Sequence, residues 1–509
     1  MEKIRSILCA KNPGAERNIS GLLEHRLKCG TLIGIDSTGR CRKGANMELI
    51  LRVNDSISKI VWGVPGMVLI LGTGMLMSVL CKFPQFTQFG FMLKNILGKA
   101  FARRQTASGS VSPFKAMCTA LAASIGTGNI AGVSGAIALG GPGAVFWMWM
   151  SSLLGMGTKF GEITLAVHYR ERNERGDWVG GPMYYIRNGL GRRWNWLGMV
   201  FCLFGALAAF GIGNTAQINT IAATVNEAIG GFVATDANDR MMIALIVGVI
   251  CSAIIFAVLI GGIQRIGDVC ALLVPVMSVI YMIAAAVVIV ARADMIPAAI
   301  NAIVVGAFAP EAVAGGLAGV GIRSVITCGV GRGIFTNEAG MGSAPIAHAA
   351  ADAEHPAAQG MFGVFEVFVD TIVVCTVTAL VILLGVGAEN IAYGTDPGAA
   401  LTVAGFRSVF GSGVAGVIVA VCLTLFALST VLTWGLYGAR CCEYLLGGTA
   451  AKLYQVVFAL CAVVGAVMNL EDAWAIANTL NGLMALPNLV ALLALSPVIA
   501  RLGRECFGK

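Results

Sequence analysis

The sequence predicts an all-α, polytopic membrane protein of about eleven transmembrane helices. Three observations carry the prediction: an apolar composition, apolar runs of membrane-crossing length at regular intervals, and two glycine-rich breaks inside such runs. Of the 509 residues, 57% are hydrophobic and 12% charged, against roughly 25% charged in a soluble globular protein. A water-soluble fold is therefore excluded. The 66 glycines agree with this, because helices in lipid associate through small residues that let backbones approach, as in Gly128-x-x-x-Gly132 or Gly315-x-x-x-Gly319.

The formal charge of +8 is not a nucleic-acid signal, since the basic residues sit in short loops between apolar runs. They read as topology determinants, which leaves membrane lipid as a partner and excludes nucleic acid. The 15 cysteines are scattered through apolar runs, with no C-x-x-C pair and no histidine at zinc spacing. They read as packing residues.

Taken in order, spans are expected at residues 61–81, 113–139, 142–167, 195–223, 241–262, 269–291, 314–349, 358–386, 412–438, 452–469 and 473–500. Setting the first aside leaves two blocks of five, residues 113–291 and 314–500, each opening with a broken helix. In the first break, residues 126–129 (GTGN) interrupt the run 113–139; in the second, residues 331–344 (GRGIFTNEAGMGSA) interrupt the seventh span. Unwound backbone at membrane depth is tolerated only where it is buried in protein or lines a cavity. A pair of such breaks at matching places in two halves of a chain points to the binding site of a secondary transporter.

Alternate loops sort by charge. One set holds Lys94, Lys99, Arg103, Arg104, Lys115, Arg170, Arg172, Arg175, Arg187, Arg192, Arg193, Arg265, Arg440, Lys452, Arg501 and Arg504; the other holds little beyond Arg240, Arg292 and Arg407. The basic set is expected to be cytoplasmic, which places the C-terminus inside. Residues 1–46 contradict this rule, since they carry nine basic residues yet fall outside. They have no apolar signal-peptide core and no sustained periodicity, so the transporter domain is expected to be 47–509, with translation suspected to begin at Met47.

Residues 140–155 read GGPGAVFWMWMSSLLG, and this segment resembles the signature of the sodium:alanine symporter family, the alanine or glycine:cation symporters. The resemblance extends through GTGNIAG at Gly126, GPMYYI at Gly181, GRGIFTNEAGMGSAP at Gly331, the Leu428-Ser429-Thr430…Trp434 segment and NGLMALPNL at Asn481. It implies a five-plus-five inverted-repeat amino-acid transporter fold in the cell (inner) membrane, sodium as coupling ion, no organic cofactor and a small neutral amino acid, alanine and/or glycine, as substrate. A proton-coupled carrier of the same fold, with Glu366 or Asp370 as proton site, is the alternative. An enzyme is not expected, as neither an HExxH nor a GxSxG motif occurs.

A zwitterion needs donors for its carboxylate and acceptors for its ammonium, and a broken helix offers both. N–H groups around Thr127, Gly128 and Asn129 are expected to hold the carboxylate. Carbonyls near Phe335 and Thr336 are expected to take the ammonium, with Met341 lining the pocket. The bland alternative is that these glycines serve only helix packing. The resemblance further implies sodium between carbonyls of Ala122 and Ile125 and the ninth-span residues Phe426, Ser429 and Thr430, although both hydroxyls could simply back-bond within their helix. It also places Gln217 and Trp434 at the pocket as limits on substrate size, with a lipid-facing Trp434 as the other reading.

Glu366 and Asp370, four residues apart on the eighth span, would be costly in lipid. They are expected to face protein and pair with Arg323 or Arg332 or with hydroxyls, an inward ion path being the alternative. Lys159 and Glu162 are expected near the end of the third span as an i,i+3 pair without a functional role.

Overall fold

The computed structural model describes residues 33–35, 41–43, 45–100, 107–310, 321–468 and 471–508. The chain divides into two units, Met1–Ile57 and Ser58–Lys509. In the first unit Ile33–Ile35 pairs antiparallel with Cys41–Lys43. That hairpin was not indicated by periodicity, and the remainder of the expectation for residues 1–46 lies outside the described residues.

Eight helical segments among the described residues are long and apolar enough to cross a membrane. Three further crossings are broken or polar: residues 113–140, made of Pro113–Ser124 and Ala131–Gly140; residues 322–348, made of Ile322–Asn337 and Ala344–His348; and Ala144–His168. The total is the eleven expected, arranged as a five-plus-five inverted repeat with two broken helices. The eleventh span stops at Ala494 rather than near residue 500, because a new helix starts at Ser496 with Pro497 in its first turn, where its missing N–H costs nothing. Short helices Ile296–Gly306 and Ala400–Phe410 follow the sixth and eighth spans, and strands Glu171–Arg172 and Trp178–Val179 form a hairpin after the third.

The second break is shorter than the sequence suggested. Gly331 and Gly333 remain helical within Ile322–Asn337, and the chain unwinds over residues 338–343. Gly333 instead permits close packing, since a Cβ there would lie 2.2 Å from Ser151 Oγ on the third span. The turn forms where left-handed backbone is needed, at Glu338, Gly340 and Gly342, with φ of 54°, 89° and 79°; the two glycines adopt it without the Cβ penalty that Glu338 bears.

Two wide π-helical turns, Gly211–Thr215 in the fourth span and Phe368–Cys375 in the eighth, re-aim the residues around them. The first sets Gln217 toward the first break. The second brings Asp370 against it.

Candidate substrate and ion site

Ser112 caps the first broken helix by accepting from Lys115 N–H at 3.2 Å. The helix ends at Ser124, and a single 3₁₀ turn, Thr127–Asn129, separates it from Ala131–Gly140. Asn129 holds the break together: its Oδ1 accepts from Gly126 N–H at 2.9 Å and its Nδ2 donates to Asp370 Oδ1 at 2.7 Å. Its own N–H reaches Gly126 O at 3.3 Å. Asn129 is therefore occupied as a clamp, a correction to its expected place among free donors, whereas the N–H groups of Thr127 and Gly128 have no backbone acceptor among the described residues.

The two breaks face one another. A Cβ on Gly128 would lie 3.0 Å from Thr336 Cγ2 and 3.8 Å from Phe335 Cδ1, and one on Gly126 would lie 2.6 Å from Thr430 Oγ1 and 3.8 Å from Gln217 Oε1. At the end of Ile322–Asn337, Ala339 N–H bonds Asn337 Oδ1 at 3.0 Å, which takes from the Phe335 carbonyl its usual helical donor. Thr336 turns its hydroxyl back to Gly333 O at 3.0 Å. Gln217 anchors its amide nitrogen on Ile212 O at 3.1 Å and leaves Oε1 buried without a partner among the described residues.

Four of the five expected sodium residues, Ala122, Phe426, Ser429 and Thr430, also converge. Ser429 Oγ donates to Phe426 O at 2.8 Å and lies 3.3 Å from Ala122 O; Thr430 Oγ1 lies 3.0 Å from Phe426 O and 3.1 Å from Ala122 O. The back-bonding reading and the cross-helix reading thus hold together. Ile125 caps this half-helix, its N–H on Leu121 O at 2.7 Å, and its side chain is buried.

Trp434 is 1% exposed and donates from Nε1 to Glu338 Oε1 at 3.0 Å, so the lipid-facing alternative is excluded. Its Cβ packs on the wide turn of the fourth span, where a Cβ on Gly213 would come within 2.3 Å. Glu338 also accepts from Ser343 Oγ at 2.5 Å. No sequence signal assigned this glutamate to Trp434. Met341 is fully buried inside the second break and, like Asn129, Gln217, Thr336 and Trp434, does not line the cavity beside Gly128, which of the expected substrate residues takes Thr127, Gly128 and Phe335.

That cavity, of about 470 Å³, is lined by Thr127, Gly128, Asn219, Phe335, Arg332 and Asp396 among others. At its mouth Arg332 pairs with Asp396 at 2.8 Å, which removes Arg332 as the expected partner of Glu366 or Asp370. On the opposite face Arg170 bonds the carbonyls of Ala349 and Ala351 at 3.1 and 2.5 Å and lies over the Trp178 ring at 4.3 Å. Val111 and Ala351 bridge the two broken helices there.

Asp370 is bonded by Asn129 and by Thr371 Oγ1 at 2.9 Å, in keeping with the hydroxyl option. Glu366 pairs instead with His348, a fully buried residue. Lys159 and Glu162, nine and six residues before the C-terminal end of Ala144–His168, are both wholly buried. Glu162 Oε1 accepts from Gly342 N–H at 3.1 Å and Asn488 Nδ2 at 2.5 Å, so the third span braces the second break.

A profile of the family described as the sodium:alanine symporter family matches residues 47–507. The chain is 43% identical over 461 residues to "Sodium/alanine symporter AgcS" of Methanococcus maripaludis, covering 89% of this chain and 96% of the relative. It is 41% identical over 465 residues to an "Uncharacterized transporter" of Haemophilus influenzae, covering 91% and 96%. Among solved structures, that of MhsT in complex with L-phenylalanine superposes with a TM-score of 0.53 at 12% identity, covering 79% of this chain and 99% of the other. At that identity the likeness is one of fold.

Proposed function

The chain belongs to the sodium:alanine symporter family, and from that premise we propose that it imports alanine and glycine together with sodium by alternating access. It is an integral, multi-pass amino-acid symporter rather than an enzyme; substrate, coupling ion and sidedness are the proposal. The reading rests on one observation above all: two facing helix breaks present N–H groups at Thr127 and Gly128 without an acceptor among the described residues and a depleted carbonyl at Phe335. The N–H groups suit a carboxylate, and the carbonyl with Gln217 Oε1 suits an ammonium. Glycine at 126 and 128 lets a ligand reach the backbone, and in this reading Gln217, whose Oε1 faces Gly126, and the pinned Trp434 would limit the substrate side chain to little more than methyl.

Sodium prefers hard oxygen ligands. The Ala122, Ile125 and Phe426 carbonyls with the Ser429 and Thr430 hydroxyls supply that donor chemistry, and the residues fit such an ion. When bound, it would join the first half-helix to the ninth span, so substrate and ion would favour the same closed arrangement. Arg332 and Asp396 would guard the outer mouth, and Arg170 the cytoplasmic side with the C-terminus.

One ion suffices energetically. An inward charge gains about 2.3 kcal/mol per 100 mV and a tenfold sodium gradient about 1.4 kcal/mol, enough for accumulation of several hundredfold. Uptake of labelled alanine and glycine into proteoliposomes, with sodium and pH varied separately, tests the proposal. Uptake driven by a proton gradient and indifferent to sodium would establish the proton-coupled alternative.

A further inference from the structure

The fourth span opens with the 3₁₀ turn Arg192–Trp194 and continues as Asn195–Phe210. Trp196, Met199, Leu203 and Leu207 recur on it at helical spacing and are 43–54% exposed, so this face of the span meets lipid tails. Trp194, itself exposed, stacks on Trp196 with ring centroids 6.5 Å apart. An exposed tryptophan pair at the end of a span marks the level of the lipid headgroups.

Within one turn of that pair lies a cavity of about 640 Å³ lined by Glu171, Arg187, Asn188, Arg192 and Asn195. Its one carboxylate is occupied at both oxygens: Glu171 Oε2 pairs with Arg187 Nη2, and Oε1 accepts from Asn188 Nδ2 at 2.8 Å. Arg187 also lies over the Tyr184 and Tyr444 rings, 5.2 and 5.3 Å from their centroids. Asn195 Oδ1 accepts from the Tyr444 hydroxyl. Two donor groups are left over, since the Arg192 guanidinium and Asn195 Nδ2 make no hydrogen bond or ion pair among the described residues. With Arg187 and Glu171 cancelling, Arg192 gives the cavity one positive charge.

We propose that this cavity binds the headgroup phosphate of an anionic phospholipid whose acyl chains lie along the exposed face from Trp196 to Leu207. A phosphate ester offers only acceptors, which suits a cavity whose carboxylate is occupied and whose spare groups are donors, and the guanidinium fork matches two phosphate oxygens at once. The surplus positive charge selects a headgroup of net negative charge over phosphatidylcholine, whose trimethylammonium offsets the phosphate. Glu171 belongs to the hairpin after the third span and Arg192 and Asn195 to the fourth, so the bound lipid would tie these two elements together. The site is independent of which amino acid and which ion the protein carries.

The test is quenching of tryptophan fluorescence in the full chain, reconstituted into phosphatidylcholine vesicles in which brominated phosphatidylglycerol or brominated phosphatidylcholine is introduced in steps. Quenching that saturates at a lower fraction of the glycerol lipid than of the choline lipid is expected. Arg192→Gln removes the free cation, and Asn195→Asp keeps the acceptor for Tyr444 while setting a negative charge against the phosphate; each should lower the preference about fivefold, the share of one charge at the membrane surface. Arg193→Gln, which alters a neighbouring basic residue that does not line the cavity, should lower it by less than half as much. If Asn195→Asp does not fold, Arg192→Gln decides. A wild-type protein without the preference, or a preference unchanged in Arg192→Gln, overturns the proposal, and an equal loss in Arg193→Gln overturns it in favour of a diffuse basic surface. Excess inorganic phosphate, compared with sodium chloride of equal ionic strength, should leave the preference intact; its loss in phosphate alone would show a site for a free anion and overturn the lipid assignment.

Discussion

Trp434 Nε1–H donates to Glu338 Oε1 at 3.0 Å, tying the ninth span to the unwound turn of the seventh. The indole is held from its other side by Gly213, so its position depends on both repeats. A hydrogen bond contributes about 0.5–1.5 kcal/mol net, enough to favour one rotamer of a large side chain.

Loss of this bond should enlarge the pocket's repertoire. In Trp434→Ala, serine and valine are expected to compete with alanine while alanine itself binds more weakly. Glu338→Gln, which keeps an acceptor oxygen, should show a milder form of the same change. A wild-type competition profile in Trp434→Ala would place the indole away from the substrate.

The double variant Ser429→Ala, Thr430→Ala removes two hydroxyls that converge on Ala122 O and Phe426 O. Half-maximal uptake is expected to need at least tenfold more sodium, or uptake to vanish. Unchanged sodium activation in the double variant would reject those ligands.

Asp370→Ala leaves the Asn129 amide buried without its carboxylate acceptor. The backbone carbonyl of residue 370 still accepts from that amide at 3.2 Å, so the loss is of one hydrogen bond, about 0.5–1.5 kcal/mol, at the first break itself. The melting temperature should fall by several degrees and uptake should be largely lost, measured on the same preparation.

Arg332 and Asp396 form a pair whose side chains are 30% and 41% exposed, and pairs of that kind stabilise by under about 1 kcal/mol. Arg332→Gln should therefore leave the melting temperature nearly unchanged while altering the rate or apparent affinity of uptake through the mouth of the cavity. A large stability loss would show that the pair is structural rather than a guard.

The sequence by itself determined that the chain lies in a membrane, that it crosses eleven times, and that two crossings are broken. These follow from local quantities: apolar runs long enough to span lipid, and glycines where a helix should continue. It also pointed to Ala122, Phe426, Ser429 and Thr430 as a group through resemblance. Tertiary structure decided which polar residues meet. Gly331 and Gly333 look like helix breakers in sequence, yet both stay helical, Gly333 packing under the third span and Gly331 facing Met67 of the first, and the true turn lies at residues 338–343. Asn129 reads as a free donor until Asp370, 241 residues away, is brought to it by a wide turn in the eighth span. Lys159 and Glu162 read as an end-of-helix pair because hydropathy does not reveal which face of a span is lipid and which is protein; only the packing of the third span against the seventh and eighth makes both of them interior. Pairing of buried polar groups is a property of the assembled helices, since each such group is tolerated only where another element supplies its partner.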